Sequence, residues 1–514
     1  MSSKSNYRLN NNVTTVKSTF PPLRKAGDRA APRVPARARS RVRFCRGKFR
    51  LFGHYVHAQF LILAVVEASA LICANYAVFV SLGHNDDPQS WLSTLLVVGF
   101  ISAAIIFSLA IMGLYDGRQR ESVSGIFSRF TLAFVFSYVA ISLFASLFAR
   151  YAGLNPIIVG EELLFLAISL VILGLIRIIF YRFIDGKVLL RRVLVLGVGK
   201  KARYIDNIRR KSDMRGFQLA GFVAAKGCQH THVNPRRILQ GGQDICSYAL
   251  DNDIDEIVVA LDGDERVWPE RELLECRMNG VDVIGAVDFF ERERTLLHLD
   301  LVQADWLIFT SGFRRSHVAS LIKRSLDILA SVVILIVSAP IMLLTVVAIL
   351  LEDRGKGSVF YKQERVGKGG RLFGLLKFRS MVKNAEADGV PRWAAENDTR
   401  VTRVGEFIRR YRVDELPQLW NVLTGDMSLV GPRPERPEFV EELTQLNSLY
   451  GGRHTVNPGI TGWAQLCFPY GSSEEDSLQK LQYDLYYVKN GSFFLDLYIL
   501  AQTVEAVLFK KGAR

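Results

Sequence analysis

The stretch ILASVVILIVSAPIMLLTVVAILL, residues Ile328 to Leu351, decides how the rest of this chain is read. A helix of about twenty apolar residues spans a bilayer core of about 30 Å, so the run is long enough to cross. Its flanks are basic on both sides, with Lys323 and Arg324 before it and Arg354 and Lys356 after it. Basic flanks favour the cytoplasmic side, and a straight crossing would leave one of them outside. Ser338-Ala339-Pro340 interrupts the run, and proline brings no N–H to the helical ladder. A segment that enters the inner leaflet, breaks at Ser338 and Pro340 and returns satisfies both flanks; a kinked spanning helix is the alternative.

Upstream, four more apolar runs predict a membrane bundle over residues 60–182: Phe60 to Leu82, Trp91 to Tyr115, Phe130 to Ala149 and Ile157 to Phe180. The loop from His84 to Ser90 holds Asp86 and Asp87 and no Lys or Arg, whereas Arg118, Arg120 and Arg129 follow the second run. Arg182, Lys187, Arg191 and Arg192 follow the fourth, which puts both ends of the bundle on the cytoplasmic side and Glu161 and Glu162 at the outer interface. The formal charge of +15 is concentrated in residues 1–59, where fourteen Lys or Arg face Asp28 alone. Such a segment before a membrane helix reads as a disordered cytoplasmic arm at an anionic leaflet. Nucleic acid is excluded as a partner because no groove-reading motif accompanies the charge. Cys45, Cys73, Cys228, Cys246, Cys276 and Cys467 form no CxxC pair or disulfide framework, and His230 and His232 read as a polar loop rather than a metal site.

Residues 188–310 alternate short β-rich runs with helical stretches: Arg192 to Leu196, Leu219 to Ala224, Glu256 to Leu261 and Val281 to Ile284. This predicts a cytosolic α/β, Rossmann-like domain. The first run enters Gly197-Val198-Gly199-Lys200-Lys201-Ala202, a GxGxxA turn suited either to a nucleotide phosphate or simply to tight strand-to-helix packing. No acidic ribose-binding residue stands about twenty positions on at a strand end.

From Phe360 to Gln465 the sequence forms short stereotyped strings. They are Gln363-Glu364-Arg365-Val366-Gly367, Lys377-Phe378-Arg379-Ser380-Met381, Asp398-Thr399-Arg400-Val401-Thr402-Arg403-Val404-Gly405 and Asp414-Glu415-Leu416-Pro417-Gln418-Leu419. Gly425-Asp426-Met427-Ser428-Leu429-Val430-Gly431-Pro432-Arg433-Pro434 and Pro458-Gly459-Ile460-Thr461-Gly462-Trp463-Ala464-Gln465 follow. Lys377, Arg379, Arg400, Arg409 and Arg433 are enough cations to hold a diphosphate, and the guanidinium fork suits phosphate oxygens. Asp414 and Glu415 precede Pro417, a residue favoured just inside a helix start, so Asp414 is expected near a positive helix end, as a nucleophile or as a plain cap.

These strings in this order, with Lys323-Arg324, Asp327 and Pro340, resemble the monotopic phosphoglycosyl transferases, also called bacterial sugar transferases or polyisoprenyl-phosphate hexose-1-phosphate transferases. The resemblance covers about residues 318–514, and the upstream regions are similar to those of large exopolysaccharide- and O-antigen-initiating members. It implies an α/β catalytic domain with a reentrant membrane helix at about 321–351, in the bacterial inner membrane with the site facing the cytoplasm. It implies transfer of hexose 1-phosphate, glucose or galactose, from a UDP-sugar to undecaprenyl phosphate, with release of UMP. Asp414 matches the nucleophile that holds the sugar phosphate covalently, and Glu415 the neighbour that with Asp414 positions Mg²⁺. Lys377, Arg379, Arg409 and Arg433 match the basic strings around the nucleotide phosphates. A homodimer is compatible with the sequence but not specified by it. Two rivals differ in class: an NAD(P)-dependent nucleotide-sugar epimerase or dehydratase, for which no Tyr-x-x-x-Lys follows the glycine turn, and a non-catalytic polysaccharide-assembly scaffold.

Overall fold

A hairpin precedes the first membrane helix, with β1 (Lys48–Leu51) antiparallel to β2 (His54–His57). This corrects the reading of residues 1–59 as one disordered arm. Distant side chains hold the hairpin: Lys48 Nζ lies 3.7 Å from Glu293 Oε2, Arg50 Nη2 donates to Asn490 Oδ1 at 2.6 Å, and His54 Nδ1 is 3.1 Å from the Tyr486 hydroxyl. The structure, a computed structural model, describes residues 48–51, 54–82, 91–115, 123–148, 162–183, 190–208, 214, 216–225, 231–239, 244–262, 269–313, 316–355, 357–382, 400–468 and 473–508. The arm before residue 48, the charged loops with Asp86, Asp87, Arg118 and Arg120, and Glu161, Lys187, His230, Asp398 and Thr399 lie outside the described residues.

Helices α1 (Ala58–Ser81), α2 (Trp91–Ile111), α3 (Val123–Phe148) and α4 (Glu162–Phe183) follow the four apolar runs. Leu71, Ile105, Ala133 and Leu173 are buried between them, while Val65, Leu96, Val139 and Ile178 are more than half exposed. Apolar residues on an outer face suit lipid. Arg177 and Glu67 pair inside, as the cost of a lone ion in hydrocarbon demands: Arg177 Nη2 donates to Glu67 Oε2 at 3.0 Å, and the Tyr115 hydroxyl donates to the same carboxylate. Among the described residues, Ala58–Ser81, Gly125–Ser146, Leu163–Phe180 and His317–Glu352 are long and apolar enough to cross a membrane, and Leu95–Ile111 is a shorter apolar segment.

The α/β region runs β3 (Arg191–Leu196), α5 (Lys200–Asp206), β4 (Phe217–Val223), α6 (Ile245–Asp251), β5 (Glu256–Val259), α7 (Glu270–Met278), β6 (Asp282–Gly285) and α8 (Ala286–Arg294). All sheet neighbours are parallel, in the order β4-β3-β5-β6. Val193 and Val195 enter one apolar cluster and Leu194 and Leu196 another, so β3 is covered on both faces and reads as a continuous apolar run.

After α9 (Ala304–Phe309), α10 (His317–Glu352) forms one helix that contains Pro340. Around the proline Ile336, Val337, Leu343 and Leu344 are at least 65% exposed, while Ser338 is buried and its hydroxyl turns back to the Leu335 carbonyl at 3.5 Å. Both parts of the helix dock on one domain. Near its start Lys323 Nζ donates to the Val430 carbonyl at 3.1 Å, and Asp327 Oδ1 accepts from Leu429 N at 3.1 Å. Near its end Ile349 packs with Phe378 and Ile408, and Glu352 Oε1 accepts from Arg403 N at 2.9 Å.

That domain comprises β7 (Phe360–Val366) antiparallel to β8 (Leu372–Phe378), α11 (Arg403–Arg410), α12 (Gln418–Thr424), β9 (Ser428–Val430), α13 (Pro437–Leu446), β10 (Gly459–Thr461), α14 (Trp463–Cys467), α15 (Glu474–Asn490) and α16 (Phe493–Leu508). Short strands β9 and β10 pair in parallel. Leu419, Val422, Met427, Trp463, Tyr486, Tyr487, Leu495 and Ile499 share its core, so Tyr486 and Tyr487 of α15 pack inward. Leu296 and Leu297, beyond α8, enter the same core, and Trp463 Nε1 donates to the Thr295 carbonyl at 2.9 Å.

Candidate active site

Asp414 sits in a single 3₁₀ turn, Val413–Glu415, between α11 and α12. The turn starts from Arg412, whose φ of 58° lies in the left-handed region that costs a side-chain-bearing residue energy and recurs at functional sites. The plain-cap reading of Asp414 is not realised: the residue preceding α12 is Pro417, and no side chain caps that helix. Asn421 ties α12 to β8, accepting from Leu376 N at 3.0 Å and donating to the Gly374 carbonyl at 2.9 Å. That tie sets Lys377, the next residue of β8, against the acidic pair.

Glu415 gathers three cations. Arg433 Nη2 lies 2.8 Å from Oε1, Lys377 Nζ 3.5 Å from the same oxygen, and Arg412 Nη1 3.7 Å from Oε2. Burial alone would raise this carboxyl, but Arg433, Lys377 and Arg412 outweigh it and hold Glu415 below the usual carboxylate range. Arg433 is raised in turn by Glu415. Asp414 takes the opposite course. It is 7% exposed, its Oδ1 is buried without a hydrogen-bond partner, and burial, then the Glu415 charge, push it up to about 6 against the pull of Lys377, Arg409 and Arg412. A desolvated carboxylate with an unengaged oxygen beside cations is the arrangement a nucleophile toward phosphorus needs.

The other expected cations are distributed differently. Arg409, on α11, contributes its charge to Asp414. Arg379 Nη2 pairs with Asp353 Oδ2 at 2.9 Å, just past the end of α10. Arg400 lies beside the bridge between Met381 and Val401, its carbonyl accepting from Val382 N at 3.0 Å. Arg412 was missed by sequence reasoning, although it stands two residues before Asp414. Among the described residues no group of three or more His, Cys, Asp or Glu side chains could hold a metal ion. Mg²⁺ is ordinarily held by one or two carboxylates plus substrate phosphates, and Asp414 Oδ1 fits that partial role, whereas the Glu415 oxygens face Arg433, Lys377 and Arg412.

The glycine turn of the α/β region is filled from within. Asp262, just past β5, accepts from Lys200 N at 2.6 Å and from Lys201 N at 3.1 Å at the start of α5. A Cβ on Gly199 would meet Asp262 Oδ2 at 2.0 Å, and one on Gly197 would meet the Ala260 carbonyl oxygen at 2.4 Å. The glycines therefore serve the close approach of the end of β5, and a carboxylate of the protein itself occupies the position a phosphate would take.

The profile of the family described as bacterial sugar transferase matches residues 318–510. A UDP-N-acetylgalactosamine-undecaprenyl-phosphate N-acetylgalactosaminephosphotransferase of Aeromonas hydrophila is 41% identical over 262 residues, which cover 51% of this chain and 60% of that protein. An undecaprenyl-phosphate glucose phosphotransferase of Komagataeibacter xylinus is 41% identical over 196 residues, 37% of this chain and 36% of the relative. The chain thus spans less than two thirds of either. A UDP-glucose:undecaprenyl-phosphate glucose-1-phosphate transferase of Xanthomonas campestris pv. campestris is 31% identical over 333 residues, 63% of this chain and 68% of that protein. With the motif strings gathered into one domain inside the matched span, the chain belongs to the bacterial sugar transferase family.

Proposed function

We propose that the protein transfers a hexose 1-phosphate from a UDP-sugar to undecaprenyl phosphate on the cytoplasmic face of the bacterial inner membrane, beginning a glycan repeat unit. The observation that carries this reading is the asymmetry of the acidic pair: Glu415 is engaged by three cations while a buried oxygen of Asp414 is left without a partner. Asp414 attacks the phosphorus that bears the sugar; the bond to the bridging oxygen breaks, and UMP leaves with its electron pair. An oxygen of the polyprenyl phosphate then attacks the same phosphorus, the bond to Asp414 breaks, and the carboxylate is regenerated. Lys377, Arg412 and Arg433, aligned by Glu415, bind the diphosphate oxygens and offset the charge that builds on the leaving UMP. Mg²⁺ held by the donor phosphates and the Asp414 carboxylate would supply further charge neutralisation.

The reentrant course of α10 belongs to the same proposal. Asp327 and Ile349 are about 33 Å apart along a straight helix, and both dock on the catalytic domain, which a straight crossing would divide between the two faces of the membrane. Exposed apolar residues around Pro340 suit the turning point within lipid. The parallel sheet, in its order β4-β3-β5-β6, supports a Rossmann-like ancestry for the α/β region. For the donor sugar, the relatives act on UDP-glucose and UDP-N-acetylgalactosamine, so both join UDP-galactose in the test set. UMP release by detergent-solubilised protein is the test. Multiple-turnover formation that requires polyprenyl phosphate, Mg²⁺ and Asp414 supports the reading, with no more than one UMP per protein released before the acceptor is added; silence of folded protein toward all three donors would overturn it.

A further inference from the structure

The Arg433 segment is fastened in an unusual way. Pro432 and Pro434 flank Arg433, so the segment has few N–H groups of its own and its carbonyls must find donors elsewhere. Four successive carbonyls do: Pro432 O accepts from Gly459 N at 2.9 Å, Arg433 O from Arg453 Nη2 at 2.8 Å, Pro434 O from Arg365 Nη1 at 3.2 Å, and Glu435 O from Val366 N at 3.0 Å. Two of these donors are largely buried guanidinium groups that do not contact Glu415. Arg453, 5% exposed, is neutralised by Asp484 Oδ2 at 2.9 Å, lies over the Tyr450 ring at 5.0 Å from its centre and donates to the Tyr450 hydroxyl. Arg365 is paired with Glu435 Oε2 at 3.3 Å and braced by Gln363 Oε1 at 2.8 Å.

We infer that Arg453 and Arg365 are positioning residues, which clamp the backbone of Arg433 and Pro434 so that the Arg433 guanidinium is delivered to Glu415 and the donor diphosphate. Burying a guanidinium is costly, and a backbone carbonyl can be satisfied by far cheaper donors. What two arginine forks add is a fixed orientation, because each couples the carbonyl to a second fixed group: Asp484 on α15 for Arg453, Gln363 on β7 for Arg365. The Arg365 clamp also gives the Gln363-Glu364-Arg365 string a task that its distance from the acidic pair in sequence leaves unexplained. This inference rests on the proposed transferase reading.

A double-mutant cycle on kcat/KM for UDP-sugar tests it. Arg453→Lys keeps the charge beside Asp484 and loses the fork, and displacement of a binding group by about 1 Å costs about 100-fold. The loss is expected in the otherwise native protein and shrinks to less than about twofold in an Arg433→Ala background, because the clamp then has nothing to aim. Equal losses in both backgrounds would reduce Arg453 to a structural role, and no loss in the native background would remove the clamp altogether. If Arg453→Lys fails to fold, Asp484→Asn, which preserves shape, runs the same cycle, and Arg365→Lys runs it from the other side with the same expected non-additivity. Wild-type protein that turned over no UDP-sugar would take away the transferase reading and this inference with it, an outcome distinct from additivity in an active enzyme.

Discussion

Among the described residues, the glycine turn after β3 and the 3₁₀ turn that carries the acidic pair have opposite contents. At Gly197–Ala202, between β3 and α5, Asp262 reaches in from the end of β5 and takes the backbone N–H groups for itself. At Val413–Glu415, between α11 and α12, one carboxylate gathers the cations and the other keeps a buried oxygen without a partner. A motif string defines a backbone shape; what fills the shape in the folded chain separates a closed turn from an open site.

Substitution of the two aspartates is the widest test of that contrast. Asp414→Asn is expected to lower UMP release by about 10⁴-fold or more, as loss of a covalent nucleophile does, while Asp262→Asn stays within about twofold of wild type. Comparable losses at both would erase the distinction. A smaller effect separates the cations. Arg433→Ala and Lys377→Ala should each reduce kcat/KM by about 100-fold. Arg379→Ala, which removes the partner of Asp353, should act mainly on stability, by about 0.5–1 kcal/mol in denaturation of the purified protein.

Acid sharpens the picture at Asp414. Its folded pKa of about 6 lies above the ordinary carboxylate value, so the ionised nucleophile, and with it kcat/KM, is lost as pH falls through 6. Stability runs the other way. A raised carboxyl costs the folded state stability above its folded pKa, and the cost is relieved between about pH 6 and pH 4. Asp414→Asn should therefore be more stable than wild type at pH 7.5, by on the order of 3 kcal/mol, with the gap closing near pH 4. The smallest effect belongs to the closed turn. Asp262→Ala should cost about 1 kcal/mol through the lost N–H acceptor, and wild-type protein should retain no NAD(P) on purification; stoichiometric dinucleotide would revive the epimerase or dehydratase alternative.

Legibility in the sequence follows the range of the interactions. The four bundle helices and the parallel strands were readable because apolar runs and turn residues are local, as at Val193 to Leu196. Asp414, Glu415, Lys377 and Arg433 were readable because their strings are distinctive, and the structure brings these four together. The Asp262 cap joins residues 62 positions apart, which no spacing rule covers. Likewise the hairpin before α1 gains its partners from residues 245 and 432 positions away, and a basic arm read on its own shows no reason to fold there. Arg453 was missed for the same reason: its task is set by the carbonyl of Arg433, which carries no trace in side-chain composition.

The most direct test of the central claim is intact-protein mass spectrometry after incubation with a UDP-sugar and Mg²⁺ without polyprenyl phosphate. The expected result is a mass increase of one sugar phosphate located at Asp414, absent from Asp414→Asn, unchanged in Asp262→Asn and discharged when polyprenyl phosphate is added. UMP release by wild type with no such adduct at Asp414, or an adduct that persists after the acceptor is supplied, would contradict the account.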